Sequence, residues 1–92
     1  MARWATHRKD ENHAPIVAAL EARGARFWVW GEGGKPDGVV AHRGRAWPVE
    51  FKMPDGDLTD DQERVFPQFA AAGWPVKILR TVEDAHALLD GR

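Results

Sequence analysis

Lys35-Pro36-Asp37-Gly38-Val39-Val40-Ala41-His42-Arg43-Gly44-Arg45-Ala46-Trp47-Pro48-Val49-Glu50-Phe51-Lys52 is the stretch on which the fold turns. Two apolar runs, Val39–Ala41 and Ala46–Val49, flank Arg43-Gly44. Short apolar runs separated by a glycine-bearing dipeptide predict a β-hairpin. Strand side chains alternate between faces, so Glu50 and Lys52 share one face and Phe51 takes the other. Pairing across the turn returns Asp37 to the end of the second strand. Two carboxylates and one ammonium then meet at one end of a small sheet. An oxygen-rich cluster of this kind suits a hard divalent cation such as Mg²⁺. The bland alternative is a solvated strand end with a same-face Glu50–Lys52 ion pair.

Working outward, Gly31-Glu32-Gly33-Gly34 precedes Pro36, and Gly56-Asp57-Leu58-Thr59-Asp60-Asp61-Gln62 follows Lys52. The chain closes with Val76-Lys77-Ile78-Leu79-Arg80-Thr81-Val82-Glu83-Asp84-Ala85 before its last residues. Pro36-Asp37 with Glu50-Phe51-Lys52 resembles the PD-(D/E)xK signature of metal-dependent nucleases. The Gly-x-Leu-(Ser/Thr)-x-x-Gln segment and the final strand and helix are similar to those of VRR-NUC-type, often phage-encoded, members. The resemblance covers residues 10–90. It implies a restriction-endonuclease-like αβββαβ core with a C-terminal helix, an α/β fold whose mixed central sheet is flanked by helices. It also implies a Mg²⁺-dependent endodeoxyribonuclease, with Mn²⁺ able to substitute, in which Asp37, Glu50 and the Phe51 carbonyl bind metal and Asp37, Glu50, Lys52 and Gln62 are the catalytic set. Small relatives of this type are associated with branched DNA, including Holliday junctions. Rival readings are a nicking or restriction-type endonuclease and a non-catalytic DNA-binding or assembly subunit.

The rest of the chain is consistent with that order of elements. Asn12 is a good N-cap, Pro15 falls in the first turn and Gly24 follows the last, so a first helix is expected from Asn12 to Arg23. Ile16, Val17 and Leu20 form its stripe. A strand follows from Ala25 to Trp30, with Phe27 and Val29 on one face and Trp28 and Trp30 on the other. Both faces are apolar, which predicts a strand covered on both sides. Thr59-x-x-Gln62 is a capping box that opens a second helix. Pro67 interrupts its pattern and is expected to kink it or end it early. Trp74 to Arg80 reads as a fourth strand that reaches a parallel partner through the helical crossover. Thr81 to Asp84 caps a third helix, and Gly91 follows it.

Some readings remain open at this level. Gln62 can cap its own helix, or lie beside the metal site as the resemblance implies, or do both. Many relatives carry a site-facing acid on the first helix. Here Pro15 stands where that acid is expected, and Glu11 or Asn12 are the substitutes. His7, His13, His42 and His86 show no metal-ligand spacing and read as surface residues. Trp28, Trp30, Trp47 and Trp74 read as packing, and Trp4 as a stacking candidate.

With 92 residues and no cysteine, one domain of modest core is expected over residues 10–92, after a flexible basic arm at residues 1–9. Disulfides cannot add stability, so oligomerisation is the remaining common route, and a homodimer is expected. The net charge is −1, but nine Lys/Arg stand against six Asp/Glu in residues 1–52 and four against eight in residues 53–92. This asymmetry permits a basic face for DNA, with Arg43 and Arg45 at the hairpin turn as candidates beside phosphate. No apolar run reaches about 18 residues and no signal-peptide core is present. A cytoplasmic protein of a bacterial or phage-infected cell, with no membrane partner, is expected.

Overall fold

The computed structural model describes residues 13–31 and 34–92. The basic arm, Trp4, His7, Glu11 and Asn12 lie outside the described residues.

The chain runs α1 (His13–Ala22), β1 (Arg26–Val29), β2 (Gly38–His42), β3 (Arg45–Phe51), α2 (Asp60–Ala71), β4 (Lys77–Leu79) and α3 (Val82–Asp90). The four strands form one sheet in the order β1-β2-β3-β4. The first two pairings are antiparallel and β3 pairs with β4 in parallel. This is the mixed α/β sheet with flanking helices that the element order predicts.

The hairpin turns where the dipeptide demands it. His42 pairs with Arg45, which leaves Arg43 and Gly44 as a two-residue loop. Both have positive φ, 51° and 81°, the signature of a turn whose twist matches the flanking strands. Gly38 is needed for a different reason. A Cβ there would collide with the Trp28 carbonyl and the Phe27 ring, so only glycine lets β1 and β2 approach at this point.

Alternation then divides the sheet. Phe27, Val40, Trp47, Val49, Phe51 and Leu79 face α1 and α3, where Ile16, Leu20, Ala85 and Leu89 complete the core. Ile16 and Leu20 are one helical turn apart on α1, and both are buried. The opposite face carries Trp28, Val39, Pro48, Glu50 and Ile78 and receives α2. Only Gln62 and Phe66 of α2 are buried.

Four expectations are corrected. Strand β1 is not covered on both sides: among the described residues it is an edge strand, with Trp28 58% and Val29 70% exposed. Helix α2 does not end at Pro67 but continues to Ala71. Pro67 is exposed, so the Glu63 carbonyl that it leaves without an intrahelical donor can bond to water. Strand β4 is shorter than Trp74–Arg80. The Trp74 N–H closes the end of α2 on the Phe69 carbonyl at 3.0 Å, and Pro75 has no N–H to offer a ladder. Two of the histidines are not ordinary surface residues. His13 stacks on Phe51 with ring centroids 4.3 Å apart and meets Phe27 edge-on at 5.6 Å. His42 lies 3.2 Å through Nε2 from the Arg23 carbonyl, and its Nδ1 is buried without a partner.

Candidate functional site

Strand β3 outlasts β2. Gly38 pairs with Val49, so Glu50 and Phe51 run past the start of β2 and lie beside Asp37. The Asp37 carbonyl still belongs to the ladder, accepting from the Trp30 N–H at 2.8 Å. Its remaining groups turn to β3. The Asp37 N–H donates to Glu50 Oε1 at 3.1 Å, and the Phe51 N–H donates to Asp37 Oδ2 at 2.9 Å. The exchange is reciprocal: the backbone of Asp37 holds the side chain of Glu50, while the side chain of Asp37 holds the backbone of β3. Pro36, fully buried, fixes the entry of the chain into this arrangement.

The N–H and C=O of one strand residue point to the same side of the strand. The Phe51 N–H is aimed at Asp37, so its carbonyl faces that side too. The Lys52 N–H faces the other way and donates to the Leu79 carbonyl at 3.2 Å. Glu50, Asp37 and the Phe51 carbonyl thus gather at one strand end.

Glu50 is 1% exposed, and a buried carboxylate is costly unless donors surround it. Three do. Besides the Asp37 N–H, Gln62 Nε2 donates to Oε2 at 2.8 Å, and Lys52 Nζ lies 3.5 Å from the same oxygen. Lys52 sits on the face of Glu50, as alternation requires, with Phe51 in the core behind them.

Gln62 does both of the things open to it. Its Oε1 accepts from the Thr59 N–H at 3.0 Å, while its own N–H donates to Thr59 Oγ1 at 3.1 Å. The Thr59 N–H can only meet an oxygen, so the cap turns the NH₂ of the amide toward Glu50. The start of α2 is thereby locked to the carboxylate.

Two supporting residues had no signal in the sequence. Arg80, just past β4, donates through Nη1 to the carbonyls of Met53 (3.1 Å) and Gly56 (2.5 Å), which holds the loop between Lys52 and Thr59. His13 stacks behind Phe51. Local patterning cannot reveal contacts between residues so far apart in the chain. Arg43 and Arg45, by contrast, are not beside the carboxylates. Arg45 is five residues from Glu50 along β3, roughly 17 Å, and on the opposite face. Its guanidinium donates to the Leu89 carbonyl and covers Trp47. Among the described residues no group of three His, Asp or Glu side chains comes together; the acidic members are the pair Asp37 and Glu50.

A solved structure described as a VRR_NUC domain superposes on this chain with a TM-score of 0.71, covering 89% of this chain and 94% of that one at 23% identity. The chain has the VRR_NUC fold. No protein-family model and no curated protein matches it. Within this VRR_NUC fold the donor set at the end of β3 consists of hard oxygens: two carboxylates and one backbone carbonyl. That chemistry fits Mg²⁺, which takes carboxylates and keeps several waters. It does not fit a soft metal, since the cluster offers no sulfur and no imidazole.

Proposed function

We propose that this chain is a Mg²⁺-dependent endodeoxyribonuclease that hydrolyses DNA phosphodiesters, with branched DNA such as Holliday junctions as its substrate and a homodimer as its working form. The observation that carries the reading is the convergence of Asp37, Glu50, Lys52 and Gln62 at one strand end of a VRR_NUC fold. Asp37, Glu50 and the Phe51 carbonyl would hold the ion. When bound, Mg²⁺ supplies Lewis acidity toward the phosphoryl oxygens and lowers the pKa of a bound water.

The chain's own residues do the rest. Gln62 and the Asp37 N–H orient Glu50, so its carboxylate is fixed before substrate arrives. Lys52 Nζ sits 3.5 Å from Glu50 Oε2, close enough to serve the same phosphate by orienting the attacking water or by balancing charge that builds on oxygen. The preference for branched DNA rests on the resemblance carried by Pro36-Asp37, Glu50-Phe51-Lys52 and the Gly56–Gln62 segment.

The test is incubation with linear, nicked, flapped and four-way DNA, with Mg²⁺, with Mn²⁺ and with EDTA. Paired cuts in the four-way substrate that require the metal are the expected result. Single-strand cuts in linear duplex would favour a nicking enzyme, and binding without any cleavage would favour a non-catalytic subunit.

A further inference from the structure

We propose that the outer edge of β1 pairs with β1 of a second copy in antiparallel register about Trp28, joining two four-stranded sheets into one of eight strands. The proposal deepens the homodimer of the reading above and names its interface.

The backbone of β1 has one side still to satisfy. The Trp30 N–H is spent on the Asp37 carbonyl of the ladder to β2. Backbone groups alternate sides along a strand, so those of Trp28 also face β2, while the N–H and C=O of Phe27 and Val29 point outward. Among the described residues no strand pairs with that edge. The strand's one charge is Arg26 at its start, and Phe27–Val29 carry no proline, lysine or inward charge to guard the edge. Among the described residues it displays the two most exposed large apolar side chains, Trp28 at 58% and Val29 at 70%.

The register follows from face and hydrogen bonding together. Residues opposite one another in an antiparallel pair share a face, so a two-fold axis normal to the sheet must pass through one residue, Phe27, Trp28 or Val29. Centring on Val29 would set Phe27 opposite Gly31, whose φ of 78° departs from extended backbone. Centring on Phe27 would set Val29 opposite Ala25 of the second copy, whose N–H already donates to the Leu20 carbonyl. Centring on Trp28 sets Phe27 opposite Val29 of the second copy, and Val29 opposite its Phe27. Every outward N–H and C=O of these two residues then finds a partner. The two Trp28 side chains meet as a directly opposed pair that exchanges no backbone bond, the closer kind of cross-strand pair. Arg26 falls opposite Trp30 of the second copy on the same face, where a cation can lie over the indole.

Such an axis leaves the α2 faces of both copies on one side of the joined sheet. The two Glu50–Lys52 clusters would lie on that side, separated by a distance on the order of 25–30 Å from strand spacing and rise.

The chain has no cysteine, so one introduced thiol reports without ambiguity. The experiment takes the full chain at micromolar concentration, measures mass by sedimentation, and oxidises Trp28→Cys with glutathione disulfide. Wild type is expected at twice its 10.3 kDa chain mass, and Trp28→Cys is expected to form a covalent dimer on a non-reducing gel. Val29→Cys is the control. Its two copies would stand roughly 8–9 Å apart between Cα atoms, beyond disulfide reach, and should not link. Val29→Pro removes only an outward N–H, which an edge strand tolerates, and should sediment as a monomer with an unchanged circular dichroism spectrum. Trp28→Lys keeps every backbone donor and opposes two ammonium groups, and should also be monomeric. A dimer that survives Val29→Pro and Trp28→Lys, or Trp28→Cys that links no faster than Val29→Cys, would overturn the pairing. A monomeric wild type would overturn it together with the homodimer. None of these readouts involves cleavage, so loss of the nuclease reading would leave the result standing.

Discussion

The two faces of the sheet are built from the same strands to different ends. Toward α1 and α3, Val40, Val49, Phe51 and Leu79 meet Ile16, Leu20, Ala85 and Leu89, and all of them are buried. Toward α2, a single helix covers part of the sheet. Phe66 is its one buried apolar residue, Trp30 and Trp74 pack on Phe69 at the rim, and Trp28 is exposed. Strand β3 serves both: Val49 and Phe51 go into the core, while Pro48, Glu50 and Lys52 go to the other side. A closed face supplies the stability that lets its opposite hold a buried carboxylate and leave apolar surface uncovered. The lesson is that position on the pleat, more than position in the chain, sorts structural residues from chemical ones.

The largest expected effect separates the faces outright. Glu50→Ala should lower cleavage by about 10³-fold or more, since it removes a proposed metal ligand, while circular dichroism stays that of wild type. Equal turnover by mutant and wild type in excess Mg²⁺ would break the comparison. On the closed face, Leu20→Ala should destabilise the domain by about 3 kcal/mol through the cavity it leaves. Its folded fraction should cleave normally, as read from urea unfolding alongside a rate corrected for that fraction.

A smaller effect sharpens the role of α2. Gln62→Glu keeps an oxygen for the Thr59 N–H but turns a second carboxylate toward Glu50. Activity should fall about 10- to 100-fold, the usual range for losing a group that orients a metal ligand, with the cap retained. Thr59→Ala should do the reverse, costing about 1 kcal/mol of stability with a modest change in rate. If both variants lose activity equally, the cap and the site are not separable.

The smallest effect concerns the rim of the closed face. Arg23, at the end of α1, hydrogen-bonds Asp90 at the end of α3 and holds its carboxyl below the ordinary value of 3.8, with Arg92 and His86 adding to the shift. A folded pKa below the unfolded one gives stability that is present above the unfolded value and lost as pH falls through the folded value. Asp90→Asn should therefore flatten the acid limb of the stability curve slightly and leave neutral pH almost untouched, since an exposed pair of this kind contributes little. A large loss at neutral pH would show that this pair binds the two helices more tightly than its exposure suggests.

What could be read from the sequence was local and periodic. The Arg43-Gly44 turn, the sharing of one face by Glu50 and Lys52, and the caps at Thr59 and Thr81 follow from short-range spacing, and the return of Asp37 to the strand end follows from the turn. A period of two or 3.6 is a property of the chain itself. What only the tertiary structure decided was how the layers cover one another. That Trp28 and Val29 are exposed, that α2 runs through Pro67, that Trp74 ends a helix, that Arg80 holds the loop after Lys52, and that one Gln62 amide caps α2 while gripping Glu50 depend on which elements meet across the sheet. The contacts that join Gln62 to Glu50, and Arg80 to Met53 and Gly56, link residues far apart along the chain. An alternating pattern states only that a face is apolar or polar, and the packing of the whole chain determines whether that face finds a partner.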